Sequence, residues 1–194
     1  FTRKYIGRTM LLIFLFVTTV PAGFLVANWT PQLLKMLGFS VKETLTAMTI
    51  ISIGVPAGCF LNSVVADKGG RKMPLAILIV FASITAFIFG GMKTLAMLTL
   101  AGFTVTVFNM ALSFLLFSYT AESYPTRMRN TATGFHNGLA RLSVSGSQFF
   151  IPMIHASYGF AGIFTSVAVL FFLPVIPLLI WGQRTGGRSL EDIE

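Results

Sequence analysis

The sequence predicts an all-α, polytopic membrane protein of six spanning helices, and three observations carry that prediction. Of 194 residues, 55% are hydrophobic and only 10% charged, against roughly 25% charged in a soluble domain whose surface water must wet. Six apolar stretches, at about 9–34, 44–66, 73–91, 95–120, 130–155 and 159–181, each approach the length that crosses a bilayer. The basic residues divide unequally between the connecting loops. Arg3, Lys4, Arg8, Lys68, Arg71, Lys72, Arg127, Arg129, Arg184 and Arg188 fall on the side of the N-terminus, and Lys35, Lys42 and Lys93 on the other. By the positive-inside rule both termini are cytoplasmic, as an even number of spans requires.

Composition also excludes functions. A net charge of +8 could signal nucleic acid in a soluble protein, but here the cations sit in short clusters between apolar runs. The single cysteine, Cys59, permits neither a disulfide within the chain nor a zinc ribbon or CxxC centre. It reads as a small buried hydrophobe, and no cofactor or metal is called for. The chain opens at Phe1-Thr2-Arg3-Lys4 without methionine, and its first apolar run is too long for a signal-peptide core. Residues 1–8 are therefore expected to be a cytoplasmic linker from a preceding segment. Residues 9–182 form the bundle and 183–194 a cytoplasmic tail.

Local signals place the elements in order. Ser40 offers an N-cap to the second span, with Glu43 three residues later as in a capping box. Pro74 stands in the first turn of the third. Pro125 precedes the fifth and disfavours continuation of the fourth. Short loops make successive spans antiparallel neighbours. The third and sixth spans contain almost nothing polar, whereas the others carry Asn28, Gln32, Asn62, Asn109, Asn137, Arg141 and Gln148. Polar groups in hydrocarbon are expensive and face a bundle interior or a watery cavity, so two spans are expected at the periphery and four around a cavity. Pro21, Gly23, Gly54, Pro56, Gly58, Pro174 and Pro177 lie within spans. Close packing of helices is the favoured reading of them, ahead of hinges.

Three segments carry a family resemblance. The second loop reads Asp67-Lys68-Gly69-Gly70-Arg71-Lys72, and resembles the D-x-x-G-R-K/R element of the major facilitator superfamily, with Ser63 in place of its upstream glycine. Tyr119-Thr120-Ala121-Glu122-Ser123-Tyr124-Pro125-Thr126-Arg127-Met128-Arg129, followed by Gly134, resembles the loop of the superfamily's organic ion, synaptic-vesicle-type and aromatic-acid transporters. Gly186-Gly187-Arg188-Ser189-Leu190-Glu191-Asp192-Ile193 resembles the tail of sugar porters and their relatives. The resemblance implies the C-terminal six-helix half of a transporter, whose N-terminal half is its partner in the same protein. It implies no enzyme activity. Asp67, Gly70, Arg71, Glu122 and Arg129 are then expected to form a cytoplasmic gate network. The fourth span lacks the G-P-x-P-W element of sugar porters at Asn109–Phe117, which disfavours a sugar.

Arg141 is the leading candidate for substrate contact. It lies 11 residues past Asn130, about 16 Å into the span and close to the bilayer midplane. No acid of this chain has matching depth. The counter-charge comes from the missing half, from water or from a ligand. Asn137, Ser145 and Gln148 share its helical face, and Phe135 and Phe149 are near in sequence. Gly138-Leu139-Ala140-Arg141 resembles the G-x-x-R of aromatic-acid symporters. A guanidinium suits a carboxylate, so an organic anion is favoured over an interdomain salt bridge as its partner. Asn109, with Thr106 and Ser113 on its face, is either a ligand contact or a helix–helix hydrogen bond. Trp29 is an interfacial aromatic or, less simply, a gate. His136 is a packed neutral histidine or, alternatively, a proton carrier.

The expected function is secondary active transport of a small organic solute, an aromatic or aliphatic carboxylate, by alternating access and with possible proton coupling. The expected location is the bacterial inner (plasma) membrane. A sugar or organic cation porter of the same superfamily is the alternative. Remoter ones are a channel, for which a single arginine is weak support, and an intramembrane protease. The latter founders on spacing. Ser147 and His155 stand eight residues apart on one helix, about 12 Å against the ~3 Å that a nucleophile and its base require.

Overall fold

Proline and glycine set the helix boundaries. The computed structural model describes residues 5–66 and 70–183, which are helical apart from short connections. The helices are α1 (Ile6–Met36), α2 (Val41–Val65), α3 (Lys72–Gly91), α4 (Leu95–Glu122), α5 (Thr126–Phe172) and α6 (Val175–Trp181). At the start of α2 the capping box is formed: the Glu43 amide donates to Ser40 Oγ at 3.3 Å, and the Ser40 amide donates to Glu43 Oε2 at 2.8 Å. Gly70 adopts φ +86° immediately before Arg71, a left-handed conformation that glycine supplies without a Cβ clash. Pro125 caps α5 with extended backbone (ψ 151°). Helix α5 therefore starts at Thr126, ahead of the apolar stretch, because its first turn is helical yet polar.

Five stretches are long and apolar enough to cross a bilayer by length and composition: Ile6–Met36, Val41–Val65, Lys72–Gly91, Leu95–Glu122 and the run Thr126–Trp181. The last has 56 residues. As one straight helix it would measure about 84 Å, nearly three times the ~30 Å of hydrocarbon. It is not straight. Gly159 breaks it with φ +63° and ψ −158°, dividing α5 into arms 126–158 and 160–172.

Residue pairings give the direction of each helix. Phe16 meets Phe117 edge-on at 5.4 Å, and Gly23 packs on Asn109, so α1 runs antiparallel to α4. Phe81 stacks on Phe108 at 5.2 Å while Phe89 lies beside Gly102, so α3 is also antiparallel to α4. Helix α2 runs parallel to α4, with Gly54 beside Phe103 and Gly58 beside Val107. The first arm of α5 runs parallel to α1, pairing His136 with Thr9 and Ser143 with Val17. The second arm opposes α3: Gly90 faces Phe164, and Ser83 Oγ donates to the Ala168 carbonyl at 2.8 Å. Since α1 and α3 point the same way, the two arms of α5 point in opposite directions, and the chain reverses at Gly159.

Small residues permit these approaches. Gly54 and Gly58 stand four residues apart on the face of α2 against α4. A Cβ at Gly54 would lie 2.9 Å from the Phe103 carbonyl oxygen, and one at Gly58 would lie 2.5 Å from that of Val107. The small-xxx-small pattern lets two backbones touch where apolar side chains supply no hydrophobic drive between helices. The Gly23 Cα likewise leaves room for the Asn109 amide. Close packing thus accounts for Gly23 in α1 and for Gly54 and Gly58 in α2. Helix α2 packs chiefly on α4 and turns Ile50, Ile53, Val55, Phe60 and Val64 outward.

Gly58→Ala is expected to destabilise the bundle by about 1–3 kcal/mol, because the new Cβ would also meet Met110 Cβ at 2.7 Å. Thermal unfolding in detergent should show it. Gly91→Ala, which enters open space, is the control, and equal melting temperatures would refute the α2–α4 contact.

Candidate functional site

The α1–α5 pair builds the site, and a proline begins it. Pro21 has no amide hydrogen, so the Val17 carbonyl four residues earlier loses its helical partner. Ser143 Oγ of α5 donates to that carbonyl at 2.9 Å. Nearer the start of α1, Thr9 Oγ1 is shared between the Tyr5 carbonyl and Tyr124 Oη, each at 2.9 Å. Burial pushes the Tyr124 phenol up, while the Thr9 hydrogen bond and the Arg8 charge pull it down. His136 is fully buried, with Nδ1 2.6 Å from the Ala132 carbonyl and Nε2 3.4 Å from that of Thr9. Phe16, Tyr124 and Phe135 surround its ring at 5.6–5.8 Å.

Toward the far end of α1 the face becomes polar and open. Arg141 is exposed, and its Cζ stands 4.8 Å over the ring of Phe24. Trp29 Nε1 donates to Gln148 Oε1 at 2.5 Å, tying the two helices together beyond it. Ser145 Oγ donates back to the Arg141 carbonyl at 3.1 Å. Asn137 is half-buried and Phe135 exposed on the same helix. Asn109 is buried on α4 against Gly23. Ser147 Oγ donates to the Val144 carbonyl of its own helix at 2.7 Å, which leaves it bonded within the arm that also carries His155. An apolar cavity of about 640 Å³ has Val17 and Pro21 of α1, Ser143 and Ile151 of the first arm, and Ile163 and Leu170 of the second among its walls.

Charges gather where α1 begins and α4 ends. Arg71 Nε pairs with Glu122 Oε1 at 2.5 Å, the one ion pair among the described residues. Arg8 Nη1 donates to the Ser123 carbonyl at 3.4 Å. Tyr119 Oη accepts from the Gln183 amide at 3.0 Å, which fastens the end of the bundle to α4. Arg129 Nε and Nη2, and Glu122 Oε2, are buried without hydrogen-bond partners. Of the five residues expected in a charge network, Arg71 and Glu122 are joined, Gly70 shapes the turn before them, and Arg129 Nε and Nη2 have no hydrogen-bond partner among the described residues. Asp67 and the segment 186–193 lie outside the described residues. Sequence reasoning missed Phe24, the Ser143 bond and the Trp29–Gln148 bond. Only the second had a signal, since Pro21 announces a free carbonyl without saying what fills it.

All of residues 1–194 match the family described as sugar (and other) transporter. The chain belongs to this family. It is therefore a member of the major facilitator superfamily. Similar proteins include the niacin transporter NiaP of Acinetobacter baylyi, 25% identical across 98% of this chain and 44% of that protein. The inner membrane metabolite transport protein YdjE of Escherichia coli is 23% identical across 100% of this chain and 43% of that protein. The arabinose-proton symporter of Bacillus subtilis is 25% identical across 87% of the chain and 38% of that protein. The chain spans less than half the length of each of these relatives.

Ser143→Ala strands the Val17 carbonyl and is expected to cost about 1–3 kcal/mol, read as a lower melting temperature in detergent. Ser143→Thr keeps the hydroxyl and should melt within a degree or so of the parent. If alanine does no harm, the proline-freed carbonyl is not what holds α5 to α1.

Proposed function

We propose that the chain is the six-span C-terminal half of a secondary transporter that moves a small organic carboxylate by alternating access, with Arg141 as the anion contact. The observation that carries this reading is the setting of Arg141: an exposed cation deep in an apolar helix, with no acidic partner among the described residues. A charge so placed needs a counter-ion, and a guanidinium binds a carboxylate through two parallel hydrogen bonds. The name of the niacin transporter supports the same class, because niacin is an aromatic carboxylate.

Six spans are supported by the reversal at Gly159 and by the alternating directions of the helices. The bundle then occupies residues 9–182, after a linker (1–8) and before a tail (183–194). Relatives about twice as long support an N-terminal half that closes the cavity. Asn137 and Gln148 would line the site beside Arg141, with Phe135 and Asn109 nearer its margin. Arg71 and Glu122, with Asp67, Gly70 and Arg129, would form the cytoplasmic gate. The unpaired nitrogens of Arg129 support a partner on the other half. The basic residues on the N-terminal side support cytoplasmic termini, and the name of the Escherichia coli relative supports an inner-membrane location. Proton coupling is part of the proposal, with an electrochemical reason: an anion entering a negative-inside cell works against about 2.3 kcal/mol per 100 mV. The likeness to the arabinose-proton symporter favours a second reading, a sugar porter.

Counterflow by the full-length protein in proteoliposomes decides between them. Labelled nicotinate, benzoate and succinate should exchange saturably, and arabinose should not. Arg141→Lys keeps the charge but loses the fork, and is expected to raise the half-saturation concentration about tenfold. Wild-type behaviour of that variant would remove Arg141 from the site, and exchange of arabinose alone would establish the sugar reading.

A further inference from the structure

The guanidinium of Arg141 has a flat face and an edge. Carboxylates bind at the edge, in the plane, through two parallel N–H groups. The face is left for stacking, and here Cζ stands over the ring of Phe24, 4.8 Å from its centroid. Phe24 belongs to α1 and Arg141 to α5, so the contact crosses between helices. Its geometry is fixed on both sides. Ser143 bonds the Val17 carbonyl two turns before Phe24, and Trp29 bonds Gln148 five residues after it. Asn28 Nδ2 also donates to the Phe24 carbonyl at 3.0 Å, holding that turn of α1 closed where it borders the open strip.

We propose that Phe24 is a positioning residue for the substrate. It holds the Arg141 guanidinium by its face, so that the edge is presented to the carboxylate before substrate arrives. This rests on the reading of Arg141 as the anion contact. A free arginine side chain must give up its rotamer freedom on binding, whereas one already stacked gave it up on folding. Preorganisation of this kind appears in affinity. The ring therefore lowers the half-saturation concentration and leaves the maximal exchange rate alone.

A double-mutant cycle on the full-length protein in proteoliposomes tests this, using whichever of nicotinate, benzoate and succinate the wild type exchanges fastest. Phe24→Leu should raise half-saturation about fivefold at unchanged maximal rate and unchanged melting temperature. Phe24→Met should behave like leucine, and Phe24→Tyr, which keeps the ring, like wild type. In the Arg141→Lys background Phe24→Leu should add less than twofold, because a compact ammonium has no edge to orient. Equal effects in both backgrounds, or a tyrosine variant as weak as the leucine one, would overturn the positioning role while leaving Arg141 in the site. An Arg141→Lys variant that binds as wild type, or exchange of none of the three carboxylates, would instead overturn the reading beneath it.

Discussion

Inside hydrocarbon a backbone carbonyl has no water to turn to, and each one left unbonded costs several kcal/mol. That constraint organises the bundle. Helices satisfy it internally until a proline intervenes, and at Pro21 the freed Val17 carbonyl is satisfied by a hydroxyl from another helix. The repair is also a joint, for it fixes α5 against α1. Thr9 and His136 extend the contact toward one end, and Trp29 and Gln148 toward the other. The strip that carries Arg141 has its edges tied by these polar bonds between α1 and α5.

The remaining contacts solve a different problem. Between apolar helices in lipid there is no gain from burying leucine, so close approach must come from the absence of side chains. Gly54 and Gly58 bring α2 against the backbone of α4, and Gly23 accepts the amide of Asn109. Helix α4 is thereby the common neighbour of α1, α2 and α3, while α5 reaches α1 with one arm and α3 with the other.

Much of the fold was legible because its signals are local. Ser40 and Glu43 announce their own cap, Pro125 announces the start of α5, and long apolar runs announce helices whatever they pack against. The glycines at 54 and 58 could be read as contact points from their spacing, although not their partner. The site was less legible. Arg141 stands out in any sequence as an ion in grease, but Phe24 is one of 20 phenylalanines. Nothing local distinguishes it, because its role depends on the register between α1 and α5. That register is set in turn by the Ser143 bond, a pairing of residues 126 positions apart. Asn109 illustrates the converse. Its polarity made it conspicuous, yet its depth against Gly23 follows from a glycine on another helix.

The turn at Gly159 has a consequence for how the protein is made. A single residue with positive φ separates two arms that point in opposite directions, and no loop stands between them to cross the membrane by itself. On the six-span reading, the first arm cannot settle across the bilayer and wait for the second at leisure. The insertion machinery must hold both arms together and release them as one hairpin. On that reading the two arms are a single unit of biogenesis, settled in the membrane together.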